Sequence, residues 1–82
     1  MVYTFWFTEN DFLMLEDTWC SSRHGSYETL KSAESACLED IHCQGVYDDH
    51  CDGNGYELCD MDAYYAVSTA GSCVYQQKTG KF

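Results

Sequence analysis

Six cysteines in 82 residues constrain the fold of this chain more than any other feature. A chain this short buries only about 60–65% of the surface that its unfolded form exposes, so an apolar core alone gives marginal stability. An even number of cysteines at this density is typical of a disulfide framework made in an oxidising compartment. No CxxC pair and no Cys/His spacing typical of zinc occurs, so we predict three disulfides, no free thiol and no cofactor. The cysteines are Cys20, Cys37, Cys43, Cys51, Cys59 and Cys73.

The charge of the chain limits its partners. Fourteen acidic residues oppose four basic ones, which gives a formal net charge of −10. Such a surface repels phosphate backbones and anionic lipid headgroups, so we expect no nucleic-acid partner. No apolar run is long enough to span a bilayer, so we expect no membrane insertion. Length and composition together predict a single secreted domain over residues 1–82.

The order of apolar and turn residues predicts an α+β fold, with one helix packed on a mostly antiparallel sheet. The N-terminal run 2–8 is aromatic and β-branched and is typical of a strand, whereas residues 9–31 show no clean period and predict an irregular stretch. Four further strand-like pieces follow the helix, with a turn signal at residues 52–55 between two of them. The four pieces are residues 46–47, 56–59, 64–67 and 73–76. The tail 79–82 reads as a linker or a frayed end.

The helix is predicted at residues 32–42, because Ser32 can cap its free amides. Ala33, Ala36, Cys37 and Ile41 share one face at helical spacing. Gly45 follows as the residue that stops the helix.

Six cysteines allow fifteen pairings, and residue patterns narrow them only slightly. Cys37 lies on the inner face of the predicted helix and is expected to pair with a core strand. Cys43 and Cys51 bracket a short strand and a turn, so they can meet as neighbours.

The run Ser32 to Tyr47, with Cys37 and Cys43 six residues apart and Gly45 before Tyr47, resembles the central part of PAN/apple domains. The closing run from Gly71 to Lys78 is similar to the last cysteine, tyrosine and lysine of that family. The resemblance covers about residues 18–78, and the aromatic strand 2–8 has no family counterpart. It implies the nested pairs Cys20–Cys73, Cys37–Cys59 and Cys43–Cys51. It also implies a non-catalytic extracellular recognition or adhesion module that binds a protein or a carbohydrate.

Two candidate sites carry little chemical signal. Asp48, Asp49 and Asp52 lie in an acidic loop. When this loop is aligned with an EF-hand loop, it has neither the acid required at the first position nor the acid required at the twelfth. We therefore predict no tight calcium site. His24, His42 and His50 are scattered, and no serine or cysteine lies in a nucleophile motif. We therefore expect the chain not to be an enzyme.

The aromatic residues supply the candidate contact surfaces. Tyr64 and Tyr65 are adjacent strand residues, so they point to opposite faces and one of them is expected to be exposed. Phe5, Trp6 and Phe7 make both faces of the N-terminal strand apolar, which predicts a protein–protein contact there. That strand supports the alternative function, a self-assembling secreted structural subunit of a filament or matrix. Folding back of residues 9–26 over the second face of the strand explains the same pattern.

Overall fold

The computed structural model describes residues 11–78 of the chain. The predicted strand 2–8, with Phe5, Trp6 and Phe7, and the tail 79–82 lie outside the described residues. The elements are, in order, β1 Phe12–Leu15, β2 Thr18–Cys20, β3 Arg23–Tyr27, α1 Leu30–Glu39, β4 Cys43–Asp48, a 3₁₀ turn Asp49–Cys51, β5 Tyr56–Asp60, β6 Tyr65–Val67 and β7 Cys73–Gln77.

Five strands form an antiparallel sheet in the order β1-β7-β4-β5-β3. The remaining strands, β2 and β6, pair antiparallel as a separate two-stranded ribbon. The α+β class, with one helix packed on a mostly antiparallel sheet, is therefore confirmed. The four strand-like pieces predicted after the helix correspond to β4, β5, β6 and β7.

Successive strand residues point to opposite sides of the sheet. The helix covers one of these faces and the β2–β6 ribbon covers the other. Val46 and Leu58 pack against Ala33 and Cys37 of the helix. On the opposite face, Tyr47, Cys59 and Val74 pack against Cys20 and Tyr65 of the β2–β6 ribbon. The domain thus has three layers: helix, sheet and ribbon.

The helix begins and ends earlier than predicted. Thr29 is the N-cap, and its Oγ1 accepts a hydrogen bond from the Ser32 backbone N–H at 3.1 Å. The helix ends at Glu39, so Ile41 lies beyond it and is 71% exposed. Gly45 is also not a helix stop, because it lies inside β4.

The irregular stretch predicted at residues 9–31 is wrong where the structure describes it, because residues 12–27 contain β1, β2 and β3. These strands are only three to five residues long and are interrupted by local irregularities. Asp17 has φ 51° in the turn between β1 and β2. The register of β3 against β5 shifts between His24 and Tyr27. Such short, interrupted strands show no alternation that a sequence window can detect.

All six cysteines form disulfides, as predicted, but none of the three implied pairs is present. The pairs are Cys20–Cys59, Cys37–Cys43 and Cys51–Cys73, with Cα–Cα distances of 6.2, 5.2 and 5.2 Å.

Sheet geometry explains why the nested pairing is wrong. Cys59 lies next to Leu58 in β5, and Leu58 contacts the helix layer while Cys59 contacts the ribbon layer. Cys37 of the helix therefore faces the wrong side of the sheet to reach Cys59. Cys43 begins β4 and Cys51 follows its far end, so the strand itself separates them. Cys51 instead meets Cys73 of β7, whose partner across the β4–β7 ladder is Asp48 at the end of β4.

Candidate functional site

Trp19 and Tyr64 form an aromatic pair on the ribbon. Their ring centroids are 6.0 Å apart with an interplanar angle of 69°, an edge-to-face arrangement. Two hydrogen bonds hold the backbone here: the Ser21 N–H donates to the Tyr64 carbonyl at 3.0 Å, and the Tyr64 N–H donates to Ser21 Oγ at 2.9 Å. Tyr64 is 65% exposed. The pair therefore presents a fixed, solvent-accessible aromatic surface.

Tyr65 points the other way, as the alternation of a strand predicts. It packs against the buried cluster between sheet and ribbon, and its hydroxyl donates a hydrogen bond to Gln76 Oε1. Burial raises the pKa of Tyr65 to about 12, so its phenol stays neutral. Of the two predicted contact tyrosines, Tyr64 faces solvent and Tyr65 joins the ribbon to the sheet.

A cleft of about 380 Å³ lies beside Trp19. The Arg23 guanidinium lies over the Tyr47 ring, with Cζ 4.4 Å from the ring centroid. Arg23 is held there because Nη1 donates to the Cys20 carbonyl at 2.6 Å and Nε donates to Glu57 Oε1 at 2.9 Å. The cleft is lined by Trp19, Arg23, Tyr47, Asp49, Val67, Ser68, Thr69, Ala70 and Ser72.

Hydroxyl groups form a connected network at the base of this cleft. The Tyr47 hydroxyl donates to Asp49 Oδ1 at 3.2 Å and lies 3.1 Å from Ser72 Oγ. Ser72 Oγ lies 2.9 Å from Ser68 Oγ, which also accepts the Ser72 backbone N–H at 3.1 Å. Burial raises the pKa of Tyr47, so its phenol remains a neutral hydrogen-bonding group. The cleft therefore presents an aromatic wall, one cation and several fixed hydroxyl groups.

Sequence reasoning missed the contribution of Trp19 and Arg23 to this site. Both lie in the part of the chain that shows no period, so no pattern assigned them to a surface. One signal was available: Arg23 is one of only four basic residues in a chain of charge −10.

His24 occupies a second polar cluster, between the sheet and the end of the helix. Its Nε2 lies 2.7 Å from Asp40 Oδ2, and its Nδ1 bonds Asp60 Oδ1. These bonds, first to Asp40 and then to Asp60, raise the pKa of His24. The Asp60 carboxylate also accepts the Ser22 hydroxyl, which together with His24 lowers the pKa of Asp60. Both ring nitrogens are engaged by carboxylates, so the imidazole serves as a bridge between elements.

The acidic loop after β4 does not gather its three carboxylates. Asp48 is buried, and its Oδ2 accepts the Gly53 N–H at 3.1 Å, while Asp52 Oδ1 accepts the Asn54 N–H at 3.0 Å. The potential ligand atoms of Asp48, Cys51 and Cys73 lie within 4.8 Å of one another, but the two cysteines are joined as a disulfide. Disulfide sulfurs lack the thiolate charge that binds metals. The absence of a tight metal site stays a prediction.

In the described part of the chain, no helix is long and apolar enough to cross a membrane. Comparison with known protein families, with curated proteins and with solved structures finds no match.

Proposed function

We propose that this chain is a non-catalytic, secreted recognition module that binds a neutral glycan through the Trp19–Tyr64 pair and the adjacent cleft. The observation that carries the proposal is the exposed Tyr64 ring, fixed edge-on against Trp19 beside a cleft rich in hydroxyl groups. Aromatic faces pack against the C–H surfaces of sugars, and amphipathic rings suit surfaces that are apolar at one end and wet at the other.

The polar groups of the cleft favour a sugar over a purely apolar ligand. Arg23 supplies donors, Asp49 supplies acceptors, and Thr69 and Ser68 supply hydroxyl groups that do both. The charge of −10 disfavours sulfated or sialylated glycans, because these are anionic.

Two further observations support the class of module. Three disulfides favour an oxidising, extracellular setting. His24 has both nitrogens engaged by carboxylates, which leaves neither of them available as a general base. The resemblance to PAN/apple domains adds little support, because the disulfide pairing that it implied differs from the pairing in the structure.

A glycan array probed with the full chain tests this function. We expect binding to neutral glycans, and we expect Tyr64→Ala to weaken it at least about tenfold, because an exposed aromatic anchor is lost. Ile41→Ala is the matched control, since Ile41 is also exposed, at 71%, and lies outside the cleft. If no glycan on the array binds and a pull-down captures a protein partner only when Tyr64 is present, the ligand of this site is a protein and not a glycan. Equal binding by the Tyr64→Ala and Ile41→Ala variants would show that the Trp19–Tyr64 pair is not the binding site.

A further inference from the structure

β1 is the terminal strand in the order of the five-stranded sheet. Within residues 11–78, β1 has one neighbouring strand, β7. The Lys78 N–H donates to the Asp11 carbonyl at 2.7 Å, so ladder bonds recur at every second residue from that pair. Asp11, Leu13 and Leu15 therefore direct their backbone groups toward β7, and the intervening residues Phe12 and Met14 direct theirs away from it. An edge of this kind can accept a further strand.

An apolar groove of about 760 Å³ adjoins this edge. Residues 14–18 line one side of it, and Tyr65, Ala66 and Val67 of the ribbon line the other. Val67 is 83% exposed, although it is apolar. A strand laid along β1 would place a side chain into this groove, because alternate residues of an added strand face the ribbon.

The charge of the groove distinguishes three candidate occupants: a second copy of the chain, residues 1–10 of the chain itself, and a partner protein. Glu16 and Asp17 are the two charged residues that line the groove. A second copy of the chain would bring another net charge of −10 to this surface. Residues 1–10 of the chain itself contain Glu9 and neither lysine nor arginine. Electrostatic complementarity thus favours a partner with basic residues.

We propose that the β1 edge binds an extended, basic segment of a partner protein by strand addition. The backbone of the segment bonds the outward groups of Phe12 and Met14, an apolar side chain fills the groove, and lysine or arginine residues lie beside Glu16 and Asp17. This surface includes neither Trp19 nor Tyr64 and shares only Val67 with the adjacent cleft, so the two proposals can fail separately.

The probe is a blocked peptide with the sequence Lys-Val-Thr-Val-Thr-Val-Lys, added to the full chain. Hydrogen exchange measured by NMR reports each backbone amide directly. We expect the Phe12 and Met14 amides to exchange rapidly in the free chain and to become at least about tenfold slower when the peptide is present. A matched peptide with glutamate in place of both lysines is expected to bind more weakly.

Two variants separate the backbone contribution from the charge contribution. Met14→Pro removes an outward N–H without removing a bond to β7, and proline blunts edge strands in natural sheets, so peptide binding is expected to be lost. The second variant combines Glu16→Gln with Asp17→Asn, and asparagine tolerates the φ of 51° at position 17. We expect it to bind the basic peptide about three to ten times more weakly, since each exposed charge contributes modestly. Retention of all three disulfides and of Tm checks that each variant is folded.

Four results would each overturn the proposal. Slow exchange of Phe12 and Met14 in the dilute free chain would show that residues of this chain already cover the edge. Protection that grows with protein concentration would identify a second copy as the occupant. Unchanged exchange on addition of the basic peptide, or equal binding of both peptides, would show that no basic strand is recognised there.

Discussion

His24 connects three elements through one side chain. It lies in β3, and its ring nitrogens bond Asp40 at the end of α1 and Asp60 at the end of β5. An imidazolium bonded to two carboxylates compensates their mutual repulsion, whereas a neutral imidazole can donate to only one of them. The charge state of a single residue thus determines how well the helix end is fastened to the sheet.

The pH dependence follows from the direction of each pKa shift. The raised pKa of His24 gives stability that is present below its ordinary value of 6.5 and is lost as pH rises through the folded value. The lowered pKa values of Asp40 and Asp60 give stability that is present above 3.8 and is lost as pH falls through the folded values. We expect the free energy of unfolding, measured with urea, to be highest between about pH 4 and 6.5.

The variant His24→Gln isolates this contribution. We expect it to lose about 1 kcal/mol at pH 5, a value discounted because the ring is 37% exposed, and much less at pH 8. His42→Gln is the control, because His42 engages Asp40 through its backbone N–H. An equal loss at both pH values would mean that the imidazole acts by packing and not by charge.

At the scale of elements, the sequence predicted the helix and the strands that follow it, but not the strands before it. β5 and β7 were recognisable because apolar and aromatic residues cluster between clear turn signals. β1, β2 and β3 were missed because they are short and because a bulge and a left-handed Asp17 break their alternation. The cleft was missed with them, since Trp19 and Arg23 are placed by these strands. Disulfide pairing depends on which face of a strand each cysteine occupies. That face cannot be assigned from the sequence without knowing the pairing register of the strands.

Gly45 shows how closely the ribbon approaches the sheet. A Cβ at this position would lie 2.9 Å from the Tyr75 carbonyl oxygen and 3.0 Å from the Tyr65 hydroxyl oxygen. We expect Gly45→Ala to lower the free energy of unfolding by about 1–3 kcal/mol, because backbone or ribbon must shift. In a Tyr65→Phe background the same substitution should cost less, since one of the two obstructing atoms is gone. Additive costs in a urea-denaturation cycle would contradict this account of the contact.

At the scale of the whole molecule, each disulfide joins a different pair of structural units. Cys20–Cys59 ties the ribbon to the sheet, and Cys37–Cys43 ties the helix to β4. Cys51–Cys73 ties the 3₁₀ turn to β7. A small domain with three thin layers has little core in each, so covalent ties between layers supplement the apolar contacts.

The two fully buried disulfide pairs close loops of very different length, 39 residues for Cys20–Cys59 and 6 for Cys37–Cys43. In the loop-closure model, the first stabilises by about 4 kcal/mol and the second by about 2 kcal/mol. We therefore expect the double variant Cys20→Ala, Cys59→Ala to be less stable than Cys37→Ala, Cys43→Ala. All four cysteines are 0% exposed, so lost burial is similar in both variants. Urea unfolding that ranks them in the reverse order would show that packing between layers, and not loop length, determines the effect.

The pairing of β1 with β7 places Asp11 beside Lys78, so the two ends of the described segment 11–78 lie next to each other. A tensile force applied through residues 11 and 78 would act across this ladder and load its hydrogen bonds one pair at a time. Unzipping in this geometry needs far less force than sliding two strands lengthwise. Peeling of β7 would stop at Cys73, where the disulfide to Cys51 carries the load. Under tension, extension through β7 would thus be limited to the residues after Cys73, and it would expose Val74, which packs between the sheet and the ribbon.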